Sequence, residues 1–307
     1  MASNSGNSRL SFVTWHKKLI LAAAISTVLL IAMGGVLCAT RSIRDCPDWP
    51  GCFGRVIPPS ETGPILEYTH RVLAAISGLL IMSAAIASLI RLTGMRWIVL
   101  PPLIAFALLI LVSYFGAQVV LRGLSPGWSA VDLGSALLVE ALMVSTAVIA
   151  YSTNDNGSRV IKPIFTKPFT MLVMATTVVV YILLISGVLV AGRNFITGCI
   201  GWPIYSFTLV GQDASFAGSI LRLVLSVAGM AMLMMVWVHS WNMKQNQPAI
   251  FRYACLVGIA IVFEMLIQAL LLIINFSTPL LVMYTITAAL FWGLLVALLI
   301  RSSISIK

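Results

Sequence analysis

The strongest constraint on the fold is a series of eight apolar segments, each about 20 residues long. They lie at roughly 19–40, 70–90, 98–121, 129–151, 169–191, 216–238, 253–275 and 279–300. A helix of about 20 apolar residues is long enough to cross the hydrocarbon core of a bilayer. Only 9% of the residues are charged, whereas a soluble domain carries about 25%. The sequence therefore predicts an all-α membrane protein with eight transmembrane helices, surrounded by the lipid bilayer.

The Lys and Arg residues predict the orientation of these helices. Twelve of the 19 fall on the side of the membrane that carries both termini. Because cytoplasmic loops are enriched in Lys and Arg, we expect both termini to be cytoplasmic. The first apolar segment exceeds the core of a signal peptide, about 7–15 residues, and is interpreted as a span. The basic residues are scattered over short loops, so the net charge of +10 does not indicate a nucleic-acid partner.

A sequence pattern in the first half of the chain recurs in the second half. GVLCATRSIRDCPDW at 35–49 is similar to GVLVAGRNFITGCIGW at 187–202, and HRVLAAISG at 70–78 is similar to LRLVLSVAG at 221–229. Each half contains four predicted spans, so both halves have the same orientation, as in a parallel repeat.

The repeat predicts two four-helix units. We assign residues 1–152 to the first unit, 153–167 to a cytoplasmic linker and 168–307 to the second unit. Internal sites are expected between the units or within each four-helix unit.

The five cysteines are distributed unevenly. Cys46 and Cys52 lie on the predicted outer side, where disulfides persist, and the segment between them contains two prolines. We expect a disulfide here; free thiols and metal ligands are the alternatives, although no second Cys or His pair nearby supports zinc. Cys38 and Cys255 fall within predicted spans and are expected to be small buried apolar residues.

Three functional side chains open the second span. Glu67 and His70 are three residues apart and therefore share a helix face, and Arg71 follows directly. Polar groups at the membrane edge cost free energy unless they are paired or used. Imidazole is a common ligand of haem iron, so His70 is a candidate ligand, Glu67 a candidate general base and Arg71 a candidate partner of a propionate. The alternative is a structural cap at the start of the helix.

The motifs together resemble the haem A synthase family, also called CtaA-type. They are the Gly34–Gly35 pair, CPDWPGC at 46–52, ILEYTHR at 65–71, GLSPGWSAVDLGSALL at 123–138 and CIGWP at 199–203. The resemblance implies oxidation of a methyl group of haem O to the formyl group of haem A, for haem–copper oxidases. It also implies a substrate haem in the first half and a haem b cofactor in the second half, each held between histidines of two helices.

The chain departs from the family at the histidine ligands. The family has one histidine on each of spans two, four, six and eight, and only His70 matches. The other positions correspond to Asp132, Leu221 and Tyr284 or Thr285. In the second outer loop Cys199 is kept, and Tyr205 occupies the place of its partner.

The remaining histidines do not replace the missing ligands. His16 and His239 fall on the predicted cytoplasmic side, and His239 lies about 25 Å deeper than Arg222 on the same span. Each lies among Trp residues and is expected to be an interfacial anchor. At most one haem is therefore expected, in the first half, and the haem b site is expected to be lost.

Three acidic residues within the predicted spans are further functional candidates. Asp132 is expected to contact the cofactor or to pair with Arg71 or Arg122. Glu140 and Glu264 lie in the middle of spans four and seven, and carboxyl groups at this depth are functional candidates or hydrogen-bonded structural groups.

Three functions follow from these expectations. The first is an oxidoreductase of haem A formation that uses the haem at His70. The second is a haem-handling assembly factor or structural subunit of a respiratory or related membrane complex, in contact with a haem–copper oxidase or haem O synthase. The third is a small-solute or proton transporter that uses Glu140 and Glu264, but no span is broken by Gly and Pro as transporter sites require.

Overall fold

The computed structural model describes residues 4–91, 95–123, 125–153, 162–190, 199–202, 216–274 and 277–304. This part of the chain contains eight α-helices, each with a segment long and apolar enough to cross a membrane. They are α1 Asn4–Thr40, α2 Thr62–Arg91, α3 Arg96–Arg122, α4 Pro126–Ser152, α5 Pro168–Val190, α6 Phe216–Asn242, α7 Pro248–Ile273 and α8 Thr278–Ser303. The predicted all-α fold with eight spans is confirmed.

Local sequence explains where several helices begin. Helices α4, α7 and α8 have proline in the first turn, where the missing N–H has no partner to lose. Helix α2 begins eight residues before the predicted apolar segment, which places Glu67 and His70 inside its first turns.

The helices contact one another in two groups of four. In the first group α1 and α3 each pack against α2 and α4, and in the second group α5 and α7 each pack against α6 and α8. The two groups meet through α1, α4, α5 and α8. The parallel repeat of the two predicted units stays a prediction, and their cytoplasmic linker falls largely at 154–161, outside the described residues.

Side chains at the contact between the groups are closely packed. The indole N–H of Trp292 on α8 donates to the carbonyl of Leu137 on α4 at 3.0 Å. The hydroxyl of Tyr181 on α5 donates to the carbonyl of Gly134 on α4 at 3.1 Å. Helices α4 and α8 are consequently the most buried of the eight.

The histidines near the predicted cytoplasmic side differ in environment. His239 is exposed near the end of α6. His16 is only 3% exposed, and its Nε2 lies 3.1 Å from the hydroxyl of Ser88 on α2. His16 is therefore packed between α1 and α2, and its predicted role as an interfacial anchor stays a prediction.

Candidate functional site

The loop between α1 and α2 is held in one conformation by short-range contacts. A disulfide joins Cys46 and Cys52, and both cysteines are fully buried. The carboxylate of Asp48 accepts the backbone N–H groups of Phe53, at 2.7 Å, and Gly54. These contacts close residues 46–54 into a compact turn above the start of α2.

Glu67 connects this turn to α2. Its Oε2 accepts the backbone N–H of Cys46 at 2.7 Å, and its Oε1 pairs with Arg71 at 2.5 Å. The residue is 3% exposed. Both carboxylate oxygens of the predicted general base are therefore engaged with the protein.

Arg71 makes the second connection. Its Nη1 donates to the carbonyls of Asp48, at 2.7 Å, and of Gly51 and Pro50, while its Nη2 donates to Glu67. Three carbonyl dipoles and one carboxylate surround a single guanidinium, which is the arrangement that a partly buried cation requires. Glu67 and Arg71 together form a clamp that fixes the loop on α2, as in the structural alternative.

His70 lies one turn beyond Glu67 and takes no part in the hydrogen bonds of this clamp. Its Nδ1 is buried and has no hydrogen-bond partner in the part of the chain that the structure describes. Gly34 of α1 faces the ring, and a Cβ atom at Gly34 would lie 3.5 Å from the His70 Cε1. The imidazole thus packs against the bare backbone of α1 at Gly34, and its buried Nδ1 makes no hydrogen bond within the described residues.

Asp132 on α4 is not paired as predicted. Within the described residues no ion pair joins it to Arg71 or Arg122, because Arg71 is engaged by Glu67 and Arg122 is exposed at the end of α3. Its Oδ1 is buried without a hydrogen-bond partner in the same part of the chain. The predicted pairing is wrong, and Asp132 keeps an unsatisfied acceptor.

The positions that correspond to the second pair of family histidines carry no histidine, and their side chains are exposed or engaged elsewhere. Leu221 on α6 is 58% exposed. On α8, Thr285 is fully buried against Gly35, and Tyr284 donates its hydroxyl to the carbonyl of Trp202. No cluster of three or more His, Cys, Asp or Glu suited to a metal occurs among the described residues.

Cys38 differs from its predicted role. It forms a disulfide with Cys199, with the two Cα atoms 5.6 Å apart, so the expectation of a small unpaired apolar residue is wrong. The signal was present in the sequence: Cys38 lies two residues from the end of α1, and Cys199 was left without a partner on the same side. Tyr205, the residue in the place of that partner, lies outside the described residues.

The two deep acids have different environments. Glu264 on α7 accepts the backbone N–H of Trp202 at 2.6 Å. Glu140 on α4 is fully buried, and neither of its carboxyl oxygens has a hydrogen-bond partner among the described residues. It lies against α8 at Gly293, where a Cβ atom would be 2.6 Å from Oε1.

The sequence of this chain is similar to a protein family and to several named proteins. Residues 62–296 match the model of the COX15-CtaA family, described as cytochrome oxidase assembly protein. A protein named Heme A synthase from Shouchella clausii is 25% identical over 288 residues, 92% of this chain and 93% of the relative. One from Lysinibacillus sphaericus is 25% identical over 281 residues, 89% of this chain and 91% of the relative.

A third relative matches a shorter part. The protein named Heme A synthase from an Exiguobacterium species is 29% identical over 194 residues, 62% of this chain and 63% of the relative. The family match begins at the first residue of α2, so it includes Glu67, His70 and Arg71 and leaves out the Cys46–Cys52 loop.

Proposed function

This chain belongs to the COX15-CtaA family of cytochrome oxidase assembly proteins and is a haem A synthase-like membrane protein, and from this premise we propose that it handles a single haem, bound in the first half at His70, during the biogenesis of haem–copper oxidases. In this proposal it does not oxidise haem O by itself. Its partners in this proposal are haem, the lipid bilayer and one protein partner. That partner is a haem–copper oxidase, a haem O synthase or a larger membrane complex.

The observation that carries the proposal is the contrast between His70 and the second half. His70 presents a buried nitrogen without a partner beside the bare backbone of Gly34, and imidazole is an established ligand of haem iron. Asp132 adds an unsatisfied acceptor in the same half. These two unsatisfied polar groups support the proposal of one haem site in the first half.

The second half does not fit a haem held by two histidines. The corresponding positions carry Leu221 and Tyr284 or Thr285, and Tyr284 is occupied by its hydrogen bond to Trp202. We therefore assign no step of a reaction to a second haem.

The contacts of the clamp indicate that Glu67 and Arg71 have a positioning role. A bound haem would supply redox chemistry at its iron. In this proposal Glu67 and Arg71 position the loop above α2 through the contacts described above, and His70 holds the iron. Neither carboxylate oxygen of Glu67 is left to take up a proton without disturbing Cys46 or Arg71.

The proposed orientation places both termini in the cytoplasm and the loop with Cys46 and Cys52 outside. The two disulfides support this orientation, because disulfides persist in oxidising compartments. The membrane is the prokaryotic plasma membrane or an equivalent energy-transducing membrane.

A pyridine haemochrome measurement on the purified full-length protein tests the haem site. We expect about one haem per chain, loss of that haem in His70→Ala, and no change in His239→Ala, which removes an exposed histidine. Equal haem content in all three proteins would contradict the proposal, as would two haems per chain in the wild type.

A second candidate is an active oxidoreductase that converts haem O to haem A, favoured by the relatives named Heme A synthase. Expression in a host that makes haem O and lacks its own haem A synthase separates the two. Haem O that persists unchanged supports the handling function, and haem A in the extracted pigments would show catalysis.

A further inference from the structure

Residues 199–202, which we call the strap, lie inside the second group of helices. All four residues are buried. The disulfide to Cys38 joins the strap to the end of α1. Ile200 also contacts α1, because a Cβ atom at Gly35 would be 3.3 Å from its Cγ2. The strap is therefore attached to the first group of helices while its other end enters the second.

Three side chains bind the backbone of Trp202. The carboxyl Oε1 of Glu264 accepts its N–H at 2.6 Å. The amide of Gln268, one turn later on α7, donates to its C=O at 3.4 Å, and the hydroxyl of Tyr284 on α8 donates to the same oxygen. Both the N–H and the C=O of Trp202 are therefore hydrogen-bonded to side chains of α7 and α8.

The side chain of Trp202 fills the space between these helices. A Cβ atom at Gly229 on α6 would be 3.0 Å from the edge of the indole, and the Phe291 ring on α8 lies 6.5 Å away in an edge-to-face arrangement. At Gly201 a Cβ atom would overlap the ring of Tyr284. Glycines at 201 and 229 therefore permit the close approach of the strap to α8 and α6.

We propose that the strap is an internal ligand of the second half, bound by Glu264, Gln268 and Tyr284 and locked by the Cys38–Cys199 disulfide. It occupies the space between α6 and α8, so the second half is closed by its own main chain instead of by a cofactor. This inference deepens the proposal of a single haem site and rests on it. It also gives the deep acid Glu264 a function, which is to bind the backbone N–H of the strap.

The exposure of Cys199 provides a direct test. In a Cys38→Ser, Cys255→Ser parent, Cys199 is the one cysteine outside the Cys46–Cys52 disulfide. Its side chain reacts with a maleimide only when the strap leaves its site, because Cys199 is 6% exposed. The rate of modification by a polyethylene-glycol maleimide, followed as a gel shift of the purified full chain, therefore measures release of the strap.

Removing one hydrogen bond is expected to increase this rate about five- to tenfold, which corresponds to about 1–1.4 kcal/mol. The two variants are Tyr284→Phe, which removes only the hydroxyl, and Glu264→Leu. The control is Tyr253→Phe on α7, which removes a hydroxyl that makes no contact with the strap. If Glu264→Leu does not fold, Tyr284→Phe decides alone.

Two results would overturn the inference. The first is a Cys199 that reacts as fast in the folded parent as in the denatured chain. Equal rates for the parent and its Tyr284→Phe variant would have the same meaning. The second is a reaction of Cys199 without reductant in the Cys255→Ser protein, in which Cys38 is intact and forms the disulfide with Cys199. None of these rates depends on haem, so the outcome is independent of the haemochrome measurement on His70.

Discussion

The clamp between Glu67 and Arg71 should contribute far more stability than an ordinary pair at this spacing. A surface pair four residues apart on a helix contributes about 0.3–0.5 kcal/mol. Here the side chains are only 4% and 13% exposed, and the charged atoms are 2.5 Å apart. Breaking a buried pair by removing one partner costs about 3–5 kcal/mol, because the other charge is left uncompensated.

The loop carbonyls reduce this cost for one of the two partners. Arg71 keeps its bonds to the carbonyls of Asp48, Gly51 and Pro50 when Glu67 is neutralised. Glu67→Gln also keeps an acceptor for the N–H of Cys46. We therefore expect Glu67→Gln to lower the free energy of unfolding by about 2–3 kcal/mol, and Arg71→Gln by about 3–5 kcal/mol because it also leaves the carbonyls unpaired.

A double-mutant cycle measured by SDS unfolding in mixed micelles isolates the pair. We expect the double variant to lose about 1–3 kcal/mol less than the sum of the single variants, as residues in one network do. Glu61→Gln, which removes an exposed acid from the same loop, is the control and should change stability by less than about 0.5 kcal/mol. A coupling free energy below about 0.5 kcal/mol would refute the clamp.

Two further predictions concern the contact between the two groups of helices. Gly293→Ala should lower stability by about 1–3 kcal/mol, because its Cβ would be 2.6 Å from the Glu140 carboxyl; adding Glu140→Ala should recover part of the loss, and equal losses with and without Glu140 would contradict this packing. Trp292→Phe should cost about 1–3 kcal/mol through its hydrogen bond to Leu137, whereas Trp241→Phe at an exposed position should cost less than about 0.5 kcal/mol. Thermal unfolding followed by intrinsic fluorescence measures both, and similar losses for the two Trp variants would count against a special role for Trp292.

Part of the candidate site was visible in the sequence. The spacing of Glu67, His70 and Arg71 places them on the first turns of α2, and the prolines beside Cys46 and Cys52 indicate a tight loop. The partners of these side chains were not visible. Arg71 binds carbonyl groups, which every residue has, so no residue type in the loop identifies them.

The wrong predictions for Cys38 and Asp132 have the same cause, which is that the packing of the helices was not known. Cys38 was assigned by its position within an apolar segment, although its partner Cys199 is 161 residues away along the chain. Asp132 was predicted to pair with Arg71 or Arg122, but Arg71 is already engaged by Glu67. Both assignments required knowledge of which helix ends meet.

The sequence by itself determined the eight helices and their membrane environment. A backbone in lipid must satisfy its N–H and C=O groups within its own segment, so the length of each apolar run is sufficient to predict a helix. Only the tertiary structure decided that the main chain of Trp202 lies among α6, α7 and α8, with Glu264 as its acceptor. Contacts of this kind depend on how helices distant in sequence pack together, because no local pattern records the shape of the space between them.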